Sequence, residues 1–383
     1  MNHLINSNVR NLEISGIRKF FNLVANKEDV LSLTIGQPDF HTPDHVKEAA
    51  KRSIDQNLTT YTHNAGIPTL RYAIADFCNQ KYNIKYDPDN EIIVTVGASQ
   101  AIDITLRTII QTGDEVILPG PVYPGYEPLI RLAGGIPIYV DTRENGFKLT
   151  SDLIRKHMTK RTKCVILPYP SNPTGITLTR EELQAIATEL QEEDVFILAD
   201  EIYSELVYEQ EHVSIGTFSE IREKTIIING VSKSHSMTGW RIGFLLAPEW
   251  LTKHILKVHQ YNVSCASSIS QYAALEALTN GLHDSNIMKE NYLERRDYVY
   301  QRLKRLDIEV IKPDGAFYFF IKLPNTKTSF ELAVELVNNA KLALVPGDAF
   351  SSFGQGYLRL SYAYSLETLQ KGMDRLEQYL EGK

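Results

Sequence analysis

The stretch KTIIINGVSKSHSMTGWRIGFLLAP, Lys224 to Pro248, places a lysine and an arginine between two short apolar runs. TIIING and IGFLLAP are apolar on both faces, the pattern of strands covered by helices on each side of a mostly parallel sheet. A lysine at the end of such a strand loses hydration, which disfavours its ammonium and makes the neutral amine, a nucleophile, accessible near neutral pH. One lysine alone reads as a solvated loop residue, so the rest of the chain must decide.

Working outward, similar runs recur as EIIVTVG, EVILPG, IPIYVD, KCVILPYP and VFILAD. Amphipathic stretches alternate with them, among them SQAIDITLRTIIQ and TREELQAIATELQEE. The second opens on Thr179 with Glu182 three residues later, the pattern of a capping box. The alternation predicts an α/β fold, a doubly wound, mostly parallel sheet. After Ser267 the rhythm changes to long helical patterns, the strand candidates IEVIKP, AFYFFIKL, LALVPG and YLRLSYA, and a last helix in SLETLQKGMDRLEQYLEG. We expect a large domain over 46–283 and a smaller α+β domain built from 1–45 and 284–383.

At 383 residues the chain exceeds the about 250–300 residues at which single cores stop growing, which suits two lobes. A net charge of -7 gives no basic field for nucleic acid or an anionic membrane, and small molecules are the expected partners. Cys78, Cys164 and Cys265 are far apart and form no CxxC pair, so neither a disulfide framework nor a metal site is expected. No leader pattern opens the chain and no apolar run approaches the ~20 residues of a membrane span. The expected location is the cytoplasm.

In an open α/β sheet, ligands bind beyond the carboxyl ends of the strands. After IIVTV comes Gly97-Ala98-Ser99-Gln100, where backbone N–H groups and Ser99 at a helix start can face an anion. Following CVILP is Tyr169-Pro170-Ser171-Asn172-Pro173-Thr174-Gly175, a turn that fixes the Asn172 amide. After VFILA come Asp200 and, three residues on, Tyr203. Each alone reads as a cap or a polar turn. Together with Lys233, its neighbouring serines and Arg241, they are the parts needed by a phosphorylated pyridine aldehyde: a lysine for the aldehyde, a carboxylate for the ring nitrogen, donors to the phenolic oxygen and a phosphate cradle.

SNPTG, ADEIYSEL and SKSHSMTGWRIGF, with similarity from GQPDF to YLRLSYA, resemble the class I and II aminotransferases of the pyridoxal-phosphate fold type I. The resemblance implies pyridoxal 5′-phosphate as cofactor and roles residue by residue. Lys233 would bond the cofactor's aldehyde and move the substrate's proton, and Asp200 would pair with the ring nitrogen. Tyr203 and Asn172 would bind the phenolic oxygen, and Tyr123 would stack on the ring. Ala98, Ser99, Gln100, Ser232 and Arg241 would cradle the phosphate, while Tyr61 would reach the phosphate of a neighbouring subunit, implying a homodimer with shared sites. Arg359 and the Gly36 backbone would bind the substrate's α-carboxylate, a planar anion suited to a planar fork. Ile17 and Arg18 fall in a stretch that closes over the site in such proteins.

ISGIRKF, TIGQPDF, GASQAID, PGPVYPGYEP, LPYPSNPTG and HQYNVSCASSISQ are similar to the family members that act on N-acetyl-L,L-diaminopimelate. That implies transamination with 2-oxoglutarate in lysine synthesis. No residue that would read the substrate's far end follows from the sequence. Aromatic or broad-specificity transamination and a carbon–sulfur β-lyase use the same site residues and stay open. A regulator carrying this fold beside a DNA-binding module is the remaining alternative, and no basic recognition helix supports it.

Overall fold

In the computed structural model, described for residues 1–13, 16–24, 27, 29–324 and 326–382 with the side chains of Arg18 and Leu23 excepted, the predicted runs become strands. The first is β1 (Leu31–Ser32), and the next seven form the central sheet: β2 (Ile92–Thr95), β3 (Glu115–Gly120), β4 (Ile136–Asp141), β5 (Thr162–Leu167), β6 (Phe196–Asp200), β7 (Thr225–Gly230) and β8 (Gly243–Leu246). Their order is β2-β8-β7-β6-β5-β3-β4. Every pairing from β7 to β4 is parallel, whereas β8 runs antiparallel to both its neighbours. All residues of β2, β3, β7 and β8 are buried, which accounts for runs without polar alternation.

The helix Gly97–Ile109 packs along β7 and β8. The helix Arg180–Leu190 starts as expected: Thr179 Oγ1 accepts from the Glu182 N–H at 3.3 Å and Glu182 Oε2 accepts from the Thr179 N–H at 2.8 Å. Such reciprocal bonds satisfy donors that a helix start otherwise leaves unpaired.

The later strands are β9 (Tyr318–Lys322), β10 (Leu342–Ala343), β11 (Val345–Pro346) and β12 (Tyr357–Ser361). An antiparallel sheet has the order β11-β12-β9, and β1 pairs in parallel with β10. The core beneath them gathers Phe317, Phe319, Leu332, Leu358, Leu360 and Leu376, together with Phe20 and Leu33 from the first tenth of the chain.

Two strand expectations need correction. Among the described residues, IEVIKP, 308–313, pairs with β9 through the single bridge Glu309↔Lys322. Its alternation is that of a half-buried edge, but it ends at Pro313, which has no N–H to continue a ladder. LALVPG is not one strand: the chain changes sheets at Leu344, with β10 on one side and β11 on the other. Among the described residues, no helix is long and apolar enough to cross a membrane.

Candidate active site

The parallel strands end along one edge of the sheet, where Asp200 is the last residue of β6 and Ser232 and Lys233 lie in the turn of helix that follows β7. Because β8 runs the other way, its beginning lies at that same edge, which delivers Arg241 there as well. A cleft of about 410 Å³ opens at this edge. Gly36, Ala98, Ser99, Tyr123, Asn172, Asp200, Tyr203, Ser232, Lys233, Arg241 and Arg359 all line it.

Two glycines permit the close approach. Gly97 has φ +76, and a Cβ there would lie 2.3 Å from Arg241 Nη2. At Gly243 a Cβ would lie 2.5 Å from the Ala98 N atom. Arg241, itself at φ +56, donates from Nη1 to Thr238 O at 2.8 Å.

Lys233 Nζ donates to Gly36 O at 2.6 Å. The side chain borders the cleft, yet its amine sits deep in the molecule. Burial, with the Arg359 and Arg241 charges adding to it, lowers its pKa to about 8. Arg359 is buried, donates from Nη1 to Asn172 Oδ1 at 2.9 Å and from Nη2 to Thr34 O at 2.7 Å, and lies 4.4 Å from the Tyr318 ring centroid. Its buried Nε has no partner among the described residues. Burial pushes this guanidinium below its ordinary pKa. Among the described residues, the hydrogen bonds of Lys233, Arg241 and Arg359 end on neutral oxygens, which leaves three cations facing the cleft without a paired carboxylate.

The Asp200 carboxylate accepts from the Tyr126 hydroxyl at 2.6 Å and from the Ile202 N–H at 3.2 Å. Burial raises its pKa while these two bonds pull it down. The Tyr203 and Tyr318 hydroxyls are 2.9 Å apart, and burial holds both phenols above their ordinary range. Tyr123, 37 % exposed, meets Tyr126 edge-on with ring centroids 5.5 Å apart.

Two expected residues lie apart from this group. Gln100 spends its side chain on the Val96 N–H, accepted at 2.7 Å, and on Asn262 Oδ1 at 2.9 Å, so only its backbone remains for an anion. Tyr61 is 88 % exposed and outside the cleft. Ile17 and Phe21 line the cleft from the helix Gly16–Val24, whereas the Arg18 side chain is outside the described residues.

Tyr126, Tyr318 and Thr34 were not anticipated. Tyr126 opens the helix Tyr126–Leu132 and reads as a core residue, because only the sheet order, with β3 two places from β6, brings it to Asp200. The alternation in AFYFFIKL does carry a signal for Tyr318, since Arg359 pairs with the neighbouring Phe320 across β12 and β9.

The chain matches the family described as aminotransferase class I and II over residues 28–376. It is 60 % identical to a Bacillus subtilis (strain 168) protein named probable N-acetyl-LL-diaminopimelate aminotransferase, over 99 % of this chain and 96 % of that one. An aspartate aminotransferase of Pyrococcus abyssi is 42 % identical over 96 % of each chain. The crystal structure of an aromatic aminotransferase from Pyrococcus horikoshii OT3 superposes with a TM-score of 0.90 at 39 % identity, covering 96 % of this chain and 99 % of that one.

Proposed function

The chain belongs to the class I and II aminotransferases, and we propose that it exchanges an amino group between N-acetyl-L,L-diaminopimelate and 2-oxoglutarate, with pyridoxal 5′-phosphate as cofactor, in lysine biosynthesis. The observation that carries the chemistry is the pairing, in one cleft, of a lysine whose pKa is lowered to about 8 with a buried arginine that has a free Nε. Identity of 60 % along 99 % of the chain supports this substrate over the aspartate and aromatic alternatives.

The residues present fit the cofactor. The corner at Gly97 admits no Cβ, so helix N–H groups, Ser99, Ser232 and Arg241 come together as a cradle for a phosphate. Asp200 is a buried carboxylate with one hydrogen bond on each oxygen and, among the described residues, no cation bound to it, as a protonated ring nitrogen requires. When bound, the cofactor supplies the electron sink for the bond broken at the substrate's Cα.

The chain's own residues do the rest. Lys233 would hold the cofactor, and its amine, once released, would carry the proton from the substrate's Cα to the cofactor's C4′ carbon. Asp200 keeps a proton at the ring nitrogen. Arg359 and Asn172 grip the α-carboxylate and fix which Cα bond faces the ring. Tyr203 donates to the phenolic oxygen, Tyr123 covers one ring face, and Ile17 and Phe21 keep water out. Tyr61 completes the cradle of a second copy, making the working unit a homodimer.

The test is a half-reaction. Cofactor-loaded protein is mixed with N-acetyl-L,L-diaminopimelate, aspartate, phenylalanine or cystathionine, without a 2-oxo acid, and the cofactor's absorbance is followed. We expect rapid bleaching by the acetylated donor and, after 2-oxoglutarate is added, glutamate. Bleaching by phenylalanine or aspartate alone would replace the substrate, and pyruvate released from cystathionine would replace the reaction.

A further inference from the structure

Lys233 and Arg359 lean on one short piece of backbone: Gly36 O accepts from the first at 2.6 Å and Thr34 O from the second at 2.7 Å. Upstream, strand pairing fastens this piece. β1 lies against β10, the Leu33 N–H donates to Ala343 O at 3.0 Å, and the Ile35 N–H donates to the Tyr364 hydroxyl at 3.1 Å. Downstream, Gly36 and Gln37 are exposed and belong to no strand. What fastens that end is Asp39. Its two carboxylate oxygens accept from Arg295 Nη1 at 2.8 and 2.9 Å, and Oδ1 also accepts from the Tyr292 hydroxyl at 3.1 Å. Arg295 is 9 % exposed, with its guanidinium 5.2 Å from the Phe40 ring centroid and 5.4 Å from that of Tyr292. Arg295 and Tyr292 share the helix Asp284–Arg305, outside the cleft lining.

The pair is half-buried, with the Asp39 side chain 26 % exposed, and an ion pair open to solvent contributes at most about 1 kcal/mol, so stability is a weak reason for this one. Geometry is a stronger reason. We propose that Arg295 is a positioning residue for transamination: through Asp39 it sets where the Thr34 and Gly36 carbonyls stand, and with them the aim of Arg359 and Lys233. The inference rests on the aminotransferase reading but not on which amino acid is the donor.

The experiment uses cofactor-loaded Asp39→Asn, Arg295→Gln, the double variant, Arg295→Lys and Tyr292→Phe. Turnover is measured with glutamate and 2-oxo acid, and binding with 2-methylglutamate, which has no Cα hydrogen and cannot react. A displacement of about 1 Å costs on the order of 10²-fold, so kcat/KM should fall by that order in Asp39→Asn and Arg295→Gln. Affinity for 2-methylglutamate should fall in parallel while that for pyridoxal phosphate holds. The double variant should be no worse than either single, and Arg295→Lys should recover part of the loss. A pair that is merely structural would lower Tm and leave kcat/KM and 2-methylglutamate affinity at wild-type values, which overturns the proposal. Should Arg295→Gln fail to fold, Asp39→Asn and Tyr292→Phe decide by the same criteria. Wild-type protein that transfers the amino group of none of the amino acids offered, glutamate, aspartate, phenylalanine and N-acetyl-L,L-diaminopimelate, overturns the aminotransferase reading instead.

Discussion

Burial acts in opposite directions on Lys233 and Asp200, lowering the amine to about 8 and raising the carboxyl, so that each is moved toward neutrality. For the lysine, the sign of the stability effect follows from linkage. An unfolded lysine keeps its proton up to about 10.4, so stability rises with pH between 8 and that value, and the full penalty applies below 8. Lys233→Met should therefore raise the Tm of cofactor-free protein at pH 7, and the gain should shrink as pH climbs through that window. An equal Tm at pH 7 would mean the amine carries no such burden. For the carboxylate, Tyr126 supplies one of two donors. A hydrogen bond to a charged group is worth about 1.5–3 kcal/mol, so Tyr126→Phe should move the acid limb of the kcat/KM profile to higher pH and lower its plateau. An unmoved limb would separate Tyr126 from the ionisation of Asp200.

The elements that carry the site were largely legible, because buried parallel strands announce themselves as uninterrupted β-branched runs and ligand groups follow their ends. Asp200 and Lys233 could be found in that way. Arg359 could not: it lies inside β12 with every neighbour buried, and only resemblance gave it a role. IEVIKP shows the opposite failure, since period-two alternation records which side is covered and says nothing about whether a partner strand is present. The helix Gly97–Ile109 offers the sharpest test at this level. A side chain at Gly97 meets both a left-handed backbone, costing about 1–2 kcal/mol, and the Arg241 guanidinium. Gly97→Ala should weaken pyridoxal-phosphate binding far more than it weakens substrate binding by loaded protein. Comparable losses in both would mean the corner does not serve the phosphate.

At the scale of the whole molecule, the exposed outlier among the expected cradle residues is Tyr61, which is 88 % exposed and lies outside its own cleft. Nothing in one chain's strand pattern could reveal whether a second copy covers it. Complementation can. Tyr61→Ala and Lys233→Ala proteins, each nearly inactive, should recover activity when unfolded together and refolded, because a mixed dimer holds one site with both native residues. No recovery would place every essential group of a site on a single chain.

The pairing of β1 with β10 has a consequence for how the protein is made. Leu31 leaves the ribosome 311 residues before its partner Leu342, which at roughly 5–20 residues per second is an interval of about 15–60 s. Once β8 has emerged, in the last third of that interval, the central sheet can close while the strand that leads into Thr34 and Gly36 still lacks its partner. The opening of the chain is thus the first part synthesised and among the last to be seated, and a nascent chain stalled before β10 could hold a finished sheet without a substrate site.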